Sequence, residues 1–475
     1  MTRDATKGRT AMGGTVQENA TPPVSMVARF ADWIGAFARS PVPDATAERA
    51  RAILLDSLAC ALYAGKDEKA QSALRTARSL GDGGDCTVIG TRHRTSLPVA
   101  AFANGVLIRT LDLNDTYAGP RQVGHPSDNI SAALAAAEMA DLSGADLIRA
   151  IRLGYEIYCR ILDMGDPESP WDHVTVSGLV TAAMVGWLLR LPPDRLGHAI
   201  SLAAMHCATL GEVRVGHVSG AKSIANAVVT QTASLLTLLA ANGMTGPRHG
   251  IEGVRGYAAL ILDGIDFSGF FASSQSTDRI VSVGLKQYPC FALAQGPISA
   301  AIELRRLLGT PTAIERLEIS LANTGPARLR LKDSHGRAPD SREAADHSIY
   351  FLVAIALLDG RVGLDQFRSE RWREDDVRAL IARMEAHIDP DLQPATSLPC
   401  RLRALRPGGE QIVVERPASP GSPAMPLTWD GVREKFRLCA SGVLDPDAQL
   451  RVIDQIGEIE SHSVRSLMHC LVPQQ

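Results

Sequence analysis

From Val27 onward, apolar residues recur every three or four positions, which predicts helices over Val27–Phe37 and Ala45–Tyr63. Asp44 stands where it would cap the second of them. A Gly/Asp turn, Gly81–Asp85, precedes a short β-like piece at Cys86–Ile89. Long Ala-rich apolar segments then dominate: Leu97–Leu111, Ile130–Ala140, Ala145–Leu162, Val176–Leu191, Ala199–Leu210 and Ser223–Ala241. Several are apolar most of the way round, the pattern of interior helices in one large bundle. Gly144 and Gly243 sit where helices are expected to stop.

The texture changes after Val281. Leu317–Leu321, Cys400–Leu405 and Gln411–Glu415 read as strands, mixed with helices at Ile298–Leu308, Ser348–Leu358 and Asp375–Ala386. Pro407–Pro426, rich in Pro, Gly and Ser, reads as a linker. Helical stretches at Trp429–Cys439 and Asp447–Ile459 are expected to rejoin the bundle. The predicted fold is therefore mainly α. A large all-α helical bundle domain is built from 26–281 plus 421–475, and a smaller α+β lid domain is inserted at 282–420. Residues 1–25, polar and Gly/Thr-rich, read as a disordered extension without the apolar core of a signal peptide.

Composition narrows the function classes. The 475 residues are enough for about two or three domains of ~150 residues. An apolar share of 45% with 21% charged residues excludes disordered and fibrous classes. Forty-nine basic against 52 acidic residues leave a net charge of −3, so no nucleic-acid partner is expected. The longest apolar stretch, Leu179–Leu191, falls short of the ~20 residues a bilayer requires, so no membrane partner is expected either. The eight cysteines contain no CxxC pair, which argues against a zinc ribbon or a CxxC-based iron–sulfur cluster. No metal site is expected, and reduced thiols in a cytoplasmic protein are the expected state.

Two neighbouring stretches, Leu111-Asp-Leu-Asn-Asp-Thr-Tyr117 and Gly124-His-Pro-Ser-Asp-Asn129, crowd acids, Thr, Tyr and His between two apolar helices. Ser127 or Asp128 would cap the following helix and leave His125 just outside its N-terminus, where free amides suit a carboxylate ligand. Ordinary caps beside a turn histidine fit the same residues. The arrangement recurs with His173 and Thr175 before Val176–Leu191, and with Lys222 and Ser223 before Ile224–Ala241. Three such cases on helices expected to pack together suggest a shared anion-binding cleft. Lysine usage sharpens this: there are seven lysines (7, 66, 69, 222, 286, 332, 435) among 49 basic residues. Lys222 and Lys286 lie in apolar surroundings, where a compact ammonium pairs with carboxylates or carries a proton. A lysine snorkelling from a helix edge is the competing reading. Gly216-His-Val-Ser-Gly-Ala-Lys-Ser223 imitates a P-loop, but Ala221 replaces its last glycine and no buried strand precedes it.

These stretches, with Asp172-His-Val-Thr175, Gly243-Met-Thr-Gly-Pro247, Lys286-Gln-Tyr-Pro289 and Ala345-Asp-His-Ser348, run in order along the chain. Together they resemble the 2-methylcitrate dehydratase (MmgE/PrpD) family, which includes cis-aconitate decarboxylases and an iminodisuccinate epimerase. The resemblance implies a homodimer without metal or cofactor, acting on a di- or tricarboxylate. It implies an active-site acid at Asp112, with Thr116 beside it, histidines at His125 and His173, and lysines at Lys222 and Lys286. Substrate contacts are expected from Thr116, Ser127, Tyr288, His347 and Tyr350. Relatives often carry His where this chain has Phe291, and Tyr where it has Phe351; Phe transfers no proton, so the steps that use those groups are altered or are handled by Tyr288, His347 or Tyr350. The expected reaction is dehydration of a 2-methylcitrate-like hydroxy-polycarboxylate. His125, oriented by Asp112, would exchange the proton, and His173 would assist the leaving group or hold a carboxylate. Lys222 and Lys286 would hold the developing charge. An epimerase, a decarboxylase and a non-catalytic polycarboxylate binder are the alternatives.

Overall fold

Helical structure begins at Met26, where Ser25 caps the first turn by accepting a hydrogen bond from the Ala28 amide. The computed structural model describes residues 24–473 apart from 167–168, 215–218, 273–276, 310–313, 333 and 395–396, and it is mainly α. Residues 1–23 of the expected extension and 216–218 of the P-loop-like stretch lie outside the described residues. Seven helices build most of the bundle: Asp44–Ala64, Leu97–Arg109, Ile130–Met139, Gly144–Met164, Val176–Leu188, Pro193–His206 and Ala221–Ala241. Every residue of Val176–Leu188 is buried, as its all-round apolar pattern requires. Trp429–Ala440 returns along Asp44–Ala64, so residues from both ends of the described chain share one hydrophobic core. The 21-residue helix Ala221–Ala241 is long and apolar enough to cross a membrane by length and composition; half of its most apolar stretch is buried against neighbouring helices.

A second hydrophobic core is drawn from residues between Cys290 and Val414. Its four-stranded sheet has Arg316–Ala322 inside, flanked in parallel by Met384–Asp389 and antiparallel by Cys400–Leu405, with Gln411–Arg416 at the edge. Helix Gln295–Leu308 lies on the last two strands, and Ile349–Asp359 packs on that helix.

Four local expectations change. The helix expected over Asp375–Ala386 stops at Ile381, and Met384–Asp389 is a strand, because Met384, Ala386 and Ile388 alternate with Glu385, His387 and Asp389. Gly144 opens a helix behind its cap Ser143 instead of closing one. Asp44 is the first helical residue and Pro43 occupies the cap position. The segment read as a linker, Pro407–Pro426, holds a strand and then packs inward: the Gly421 carbonyl accepts the Leu285 amide at 2.8 Å. Gly421 has φ +80°, and a Cβ there would lie 1.7 Å from the Leu285 oxygen, so the approach requires glycine.

A small three-stranded sheet connects distant parts of the chain. Asp115–Ala118 pairs with Val123–Gly124 on one side and with Gly284–Leu285 on the other, with Asp115 opposite Leu285. This register carries Lys286 to Asp112 across 174 positions of sequence.

Candidate active site

Helix Leu97–Arg109 ends just before Asp112, whose φ of 51° is a turn conformation that few non-glycine residues adopt. The turn points its carboxylate into a ring of cations. Oδ1 accepts from Arg109 Nη1 at 2.5 Å and Lys286 Nζ at 2.6 Å, and Oδ2 accepts from Lys222 Nζ at 3.2 Å. Lys286 Nζ also donates to the Asp112 carbonyl at 2.9 Å. All four side chains are buried. Burial pushes the Asp112 carboxyl upward, but Lys222, Lys286 and Arg109 outweigh it and hold the group well below the usual carboxylate range.

Lys222 occupies the first turn of Ala221–Ala241. Its ammonium lies against the His347 ring, 3.1 Å from Nε2 and 3.5 Å from Nδ1, and His347 Nδ1 bonds the Asp346 carboxylate, giving an Asp346–His347–Lys222 chain of contacts. Burial brings Lys222 down to about 8, with Asp112 opposing, and His347 down to about 4. Phe291 stacks on the His347 ring at 5.4 Å between centroids.

His125 stands at the head of the 3-10 turn Pro126–Asn129. Its Nδ1 bonds the Asp115 carbonyl at 2.6 Å, which leaves Nε2 4.0 Å from Asp112 Oδ1. The Asp115 carbonyl, not Asp112, therefore orients this ring. His173 opens the 3-10 turn His173–Thr175, capped by Asp172, which is paired with Arg214. The two imidazoles lie edge to face, 5.5 Å between centroids. Burial holds His125 well below its ordinary pKa, with Arg109 and Lys286 adding to it, and brings His173 to about 3.

The structure thus gathers Asp112, His125, Lys222, Lys286 and His347, with His173 beside His125. Of the other expected contacts, Ser127, Tyr288 and Tyr350 are engaged elsewhere. The Ser127 hydroxyl donates to Asp115 Oδ1 at 2.6 Å and accepts from Asn114, so neither it nor Asp128 caps the following helix. Thr116 pairs with Gly284 through the sheet, and its buried hydroxyl has no hydrogen-bond partner among the described residues. The Tyr288 main chain is bonded to Gln295, and its ring packs on the second core. The Tyr350 ring lies under Arg337, and Phe351 is core against Phe367 and Trp372.

Arg109, Tyr158 and Lys435 are further members outside the motifs, and Asp346 is one that the stretch Ala345–Ser348 contains without a role assigned to it. Lys435 donates to Asp56 at 2.5 Å and to the carbonyls of Lys286 and Leu113 at 2.7 and 3.0 Å, bracing the main chain beside both Lys286 and Asp112. Its signal in the sequence was scarcity, one of seven lysines, on an amphipathic helix. The cleft that reaches the cluster, between Arg109, Lys222, Arg342 and Asp346, is narrow, and a roomier groove, by Arg49, Pro423 and Trp429, is lined by none of the cluster's residues. Among the described residues no group of three or more His, Cys, Asp or Glu is arranged to hold a metal ion.

The profile of the MmgE/PrpD N-terminal domain matches residues 28–269, and that of the MmgE/PrpD C-terminal domain matches 288–459. The cis-aconitate decarboxylase of Mus musculus is 26% identical over 471 residues, covering 93% of this chain and 92% of that protein. The 2-methylcitrate dehydratase of Cupriavidus necator is 28% identical over 368 residues, covering 73% and 74%. That of Salmonella typhimurium is 28% identical over 321 residues, covering 64% and 65%.

Proposed function

The chain belongs to the MmgE/PrpD family, and from that premise we propose that it is a hydro-lyase that dehydrates a 2-methylcitrate-like hydroxy-polycarboxylate. The carrying observation is the imbalance around Asp112: Arg109, Lys222 and Lys286 all converge on one carboxylate. Charge of that sign in a buried site favours an anionic ligand and an anionic transition state. Removal of a proton beside a carboxylate builds such a charge, which Lys222 and Lys286 would stabilise. Neutral His125 takes the proton on Nε2, and the electron pair forms the C=C bond as the C–O bond breaks. The departing hydroxide takes a proton from the Lys222 ammonium and leaves as water; transfer from the His125 imidazolium to Lys222 restores both groups. Lys222 suits this because its proton is released near neutral pH, whereas neutral His173 would have to become imidazolate to act as an acid.

Asp346 and His347 belong to the segment that supplies the second core, and Lys222 to the first. On this reading the part of the expected lid, 282–420, that carries the second core moves, while Gly284–Leu285 stays in its sheet; withdrawal from Ala221–Ala241 admits substrate and closure excludes water. That same helix exposes Ile224, Val228, Leu235 and Leu239 along one face. A second copy of the chain covering this stripe would make the homodimer, and Val228→Glu is expected to halve the mass measured by light scattering.

Purified protein supplied with 2-methylcitrate, citrate and cis-aconitate tests the reaction. Appearance of enoate absorbance and of a product lighter by one water from 2-methylcitrate is expected, and absence of turnover with all three refutes the reading. A second reading, decarboxylation of cis-aconitate, is favoured by the longer stretch shared with the mouse decarboxylase. Release of CO2 from cis-aconitate, without dehydration of 2-methylcitrate, would establish it instead.

A further inference from the structure

The Tyr158 hydroxyl lies between the two histidines of the site and touches both. It accepts the backbone N–H of His125 at 3.2 Å and lies 2.9 Å from His173 Nδ1. The residue is fully buried, and its fit depends on Gly124: a Cβ there would lie 2.5 Å from the phenol oxygen. A phenol has one proton to donate. With the His125 amide donating to its oxygen, that proton has His173 Nδ1 as its acceptor, so His173 carries its own hydrogen on Nε2. His125 is fixed the opposite way, because the Asp115 carbonyl at 2.6 Å only accepts and Nδ1 must hold the hydrogen.

We infer that Tyr158 is a positioning residue that fixes His173 in the tautomer opposite to that of His125: His125 has a bare Nε2 that accepts a proton, and His173 has an Nε2–H that donates a hydrogen bond. The functional part of this rests on the proposed reaction; the tautomer assignment does not. Both rings are held neutral by burial, so each has one hydrogen whose place matters. In the reaction only His125 changes protonation, taking the substrate C–H proton. His173 keeps its hydrogen throughout and offers it to a substrate oxygen, as a neutral imidazole donor does to a developing enolate. The phenol's own pKa is raised well above its usual value by burial, so it stays a donor through turnover.

The test uses the full chain labelled with 15N-histidine, read by solid-state NMR, in which protonated and bare ring nitrogens resonate apart. His125→Gln and His173→Gln identify the two sets of signals. The wild-type protein is expected to show Nδ1–H for His125 and Nε2–H for His173; both rings in one tautomer would overturn the inference. Tyr158→Phe is expected to move the His173 nitrogens toward a mixture of tautomers while those of His125 keep their place. Unchanged His173 signals would also overturn it. Should Tyr158→Phe not fold, Gly124→Ala, which displaces the same hydroxyl, replaces it with the same expectation. If the wild type turns over a polycarboxylate, Tyr158→Phe is further expected to lower kcat about 10- to 100-fold, with KM moved much less. Should no polycarboxylate be turned over, the proposed function fails while the NMR still decides the tautomers.

Discussion

Two buried lysine–aspartate clusters lie side by side in this protein, and they are built on opposite rules. Around Lys435 everything balances: its ammonium has three acceptors for its three protons, the Asp56 carboxylate and two main-chain carbonyls. Around Asp112 three cations share one carboxylate; of the further acids, Asp128 lies 3.6 Å from Arg109 Nε with its carboxyl pushed up to about 7 by burial, and Asp346 is committed to His347. The pKa shifts diverge accordingly. Burial disfavours the Lys435 ammonium but Asp56 overrides it, and the net shift is upward. The Lys222 ammonium is disfavoured by burial and only partly recovered by Asp112, and it falls to about 8. A saturated pair fixes a fold, whereas an ammonium held with too little compensation is ready to give up a proton or to accept a ligand's carboxylate.

Lys435→Met should therefore act on stability. It strands Asp56 in the core, and the expected loss is about 3–5 kcal/mol by denaturant unfolding. Lys435→Met with Asp56→Leu should recover most of it, because the pair is then replaced by apolar volume. If the single variant unfolds like the wild type, the contrast between the clusters is wrong. Lys222→Met should do the reverse: a loss of about 10²–10³-fold in kcat, with stability unchanged or raised. The sign follows from linkage. A lysine whose folded pKa lies below its unfolded value binds fewer protons in the fold, so its charged form costs stability at neutral pH and the cost is relieved as pH rises. Marked destabilisation by Lys222→Met would place Lys222 with Lys435 as a structural residue.

How much of this was legible in the sequence differs between the two clusters for a physical reason. The bundle helices announced themselves because Val176–Leu188 and its neighbours are apolar on every face. The Asp112 cluster was legible because its histidines and lysine sit at the starts of apolar helices, where a polar side chain is conspicuous. Lys435 was not, since it lies on an amphipathic helix whose pattern a lysine fits, and its acceptors are main-chain carbonyls that carry no residue signature. Tyr158 was hidden in the same way inside Gly144–Met164. Ser127 and Tyr288 are bonded to Asp115 and Gln295, partners that a motif does not give, because it names residue types and not which way they face. Met384–Asp389 was missed because a six-residue strand directly after a helix inherits the helical reading of what precedes it.

A pH titration sharpens the contrast at smaller scale. Lys222 loses its proton as pH rises through about 8, so binding of a tricarboxylate such as citrate should weaken above that pH, approaching tenfold per unit as the ammonium disappears. Calorimetry from pH 6 to pH 10 would follow it, and the limb should be absent in Lys222→Met. The Lys435–Asp56 pair adds no limb in the same range. Its raised pKa means that its stabilisation is complete below the ordinary lysine value and lost only as pH rises beyond it. A binding limb that survives Lys222→Met would assign the titration to another group.

The smallest effect concerns the aromatic wall of the site. Phe291 lies nearly parallel to His347, with 18° between the rings, and an aromatic pair of this kind contributes about 0.5–1.5 kcal/mol beyond simple burial. Phe carries no exchangeable proton, so its part in the Asp346–His347–Lys222 chain is to hold the imidazole flat against the ammonium. Phe291→Leu keeps the apolar contact and removes the stack, and kcat should fall about two- to tenfold, the kinetic equivalent of that energy. The pH limb set by Lys222 should stay in place, because none of its charged neighbours, Asp112, Asp346, Arg109 and Arg214, is disturbed. A loss of 10²-fold or more would mean that His347 needs Phe291 to be placed at all. The Asp112 cluster would then depend on packing from the second core as heavily as Lys435 depends on the first.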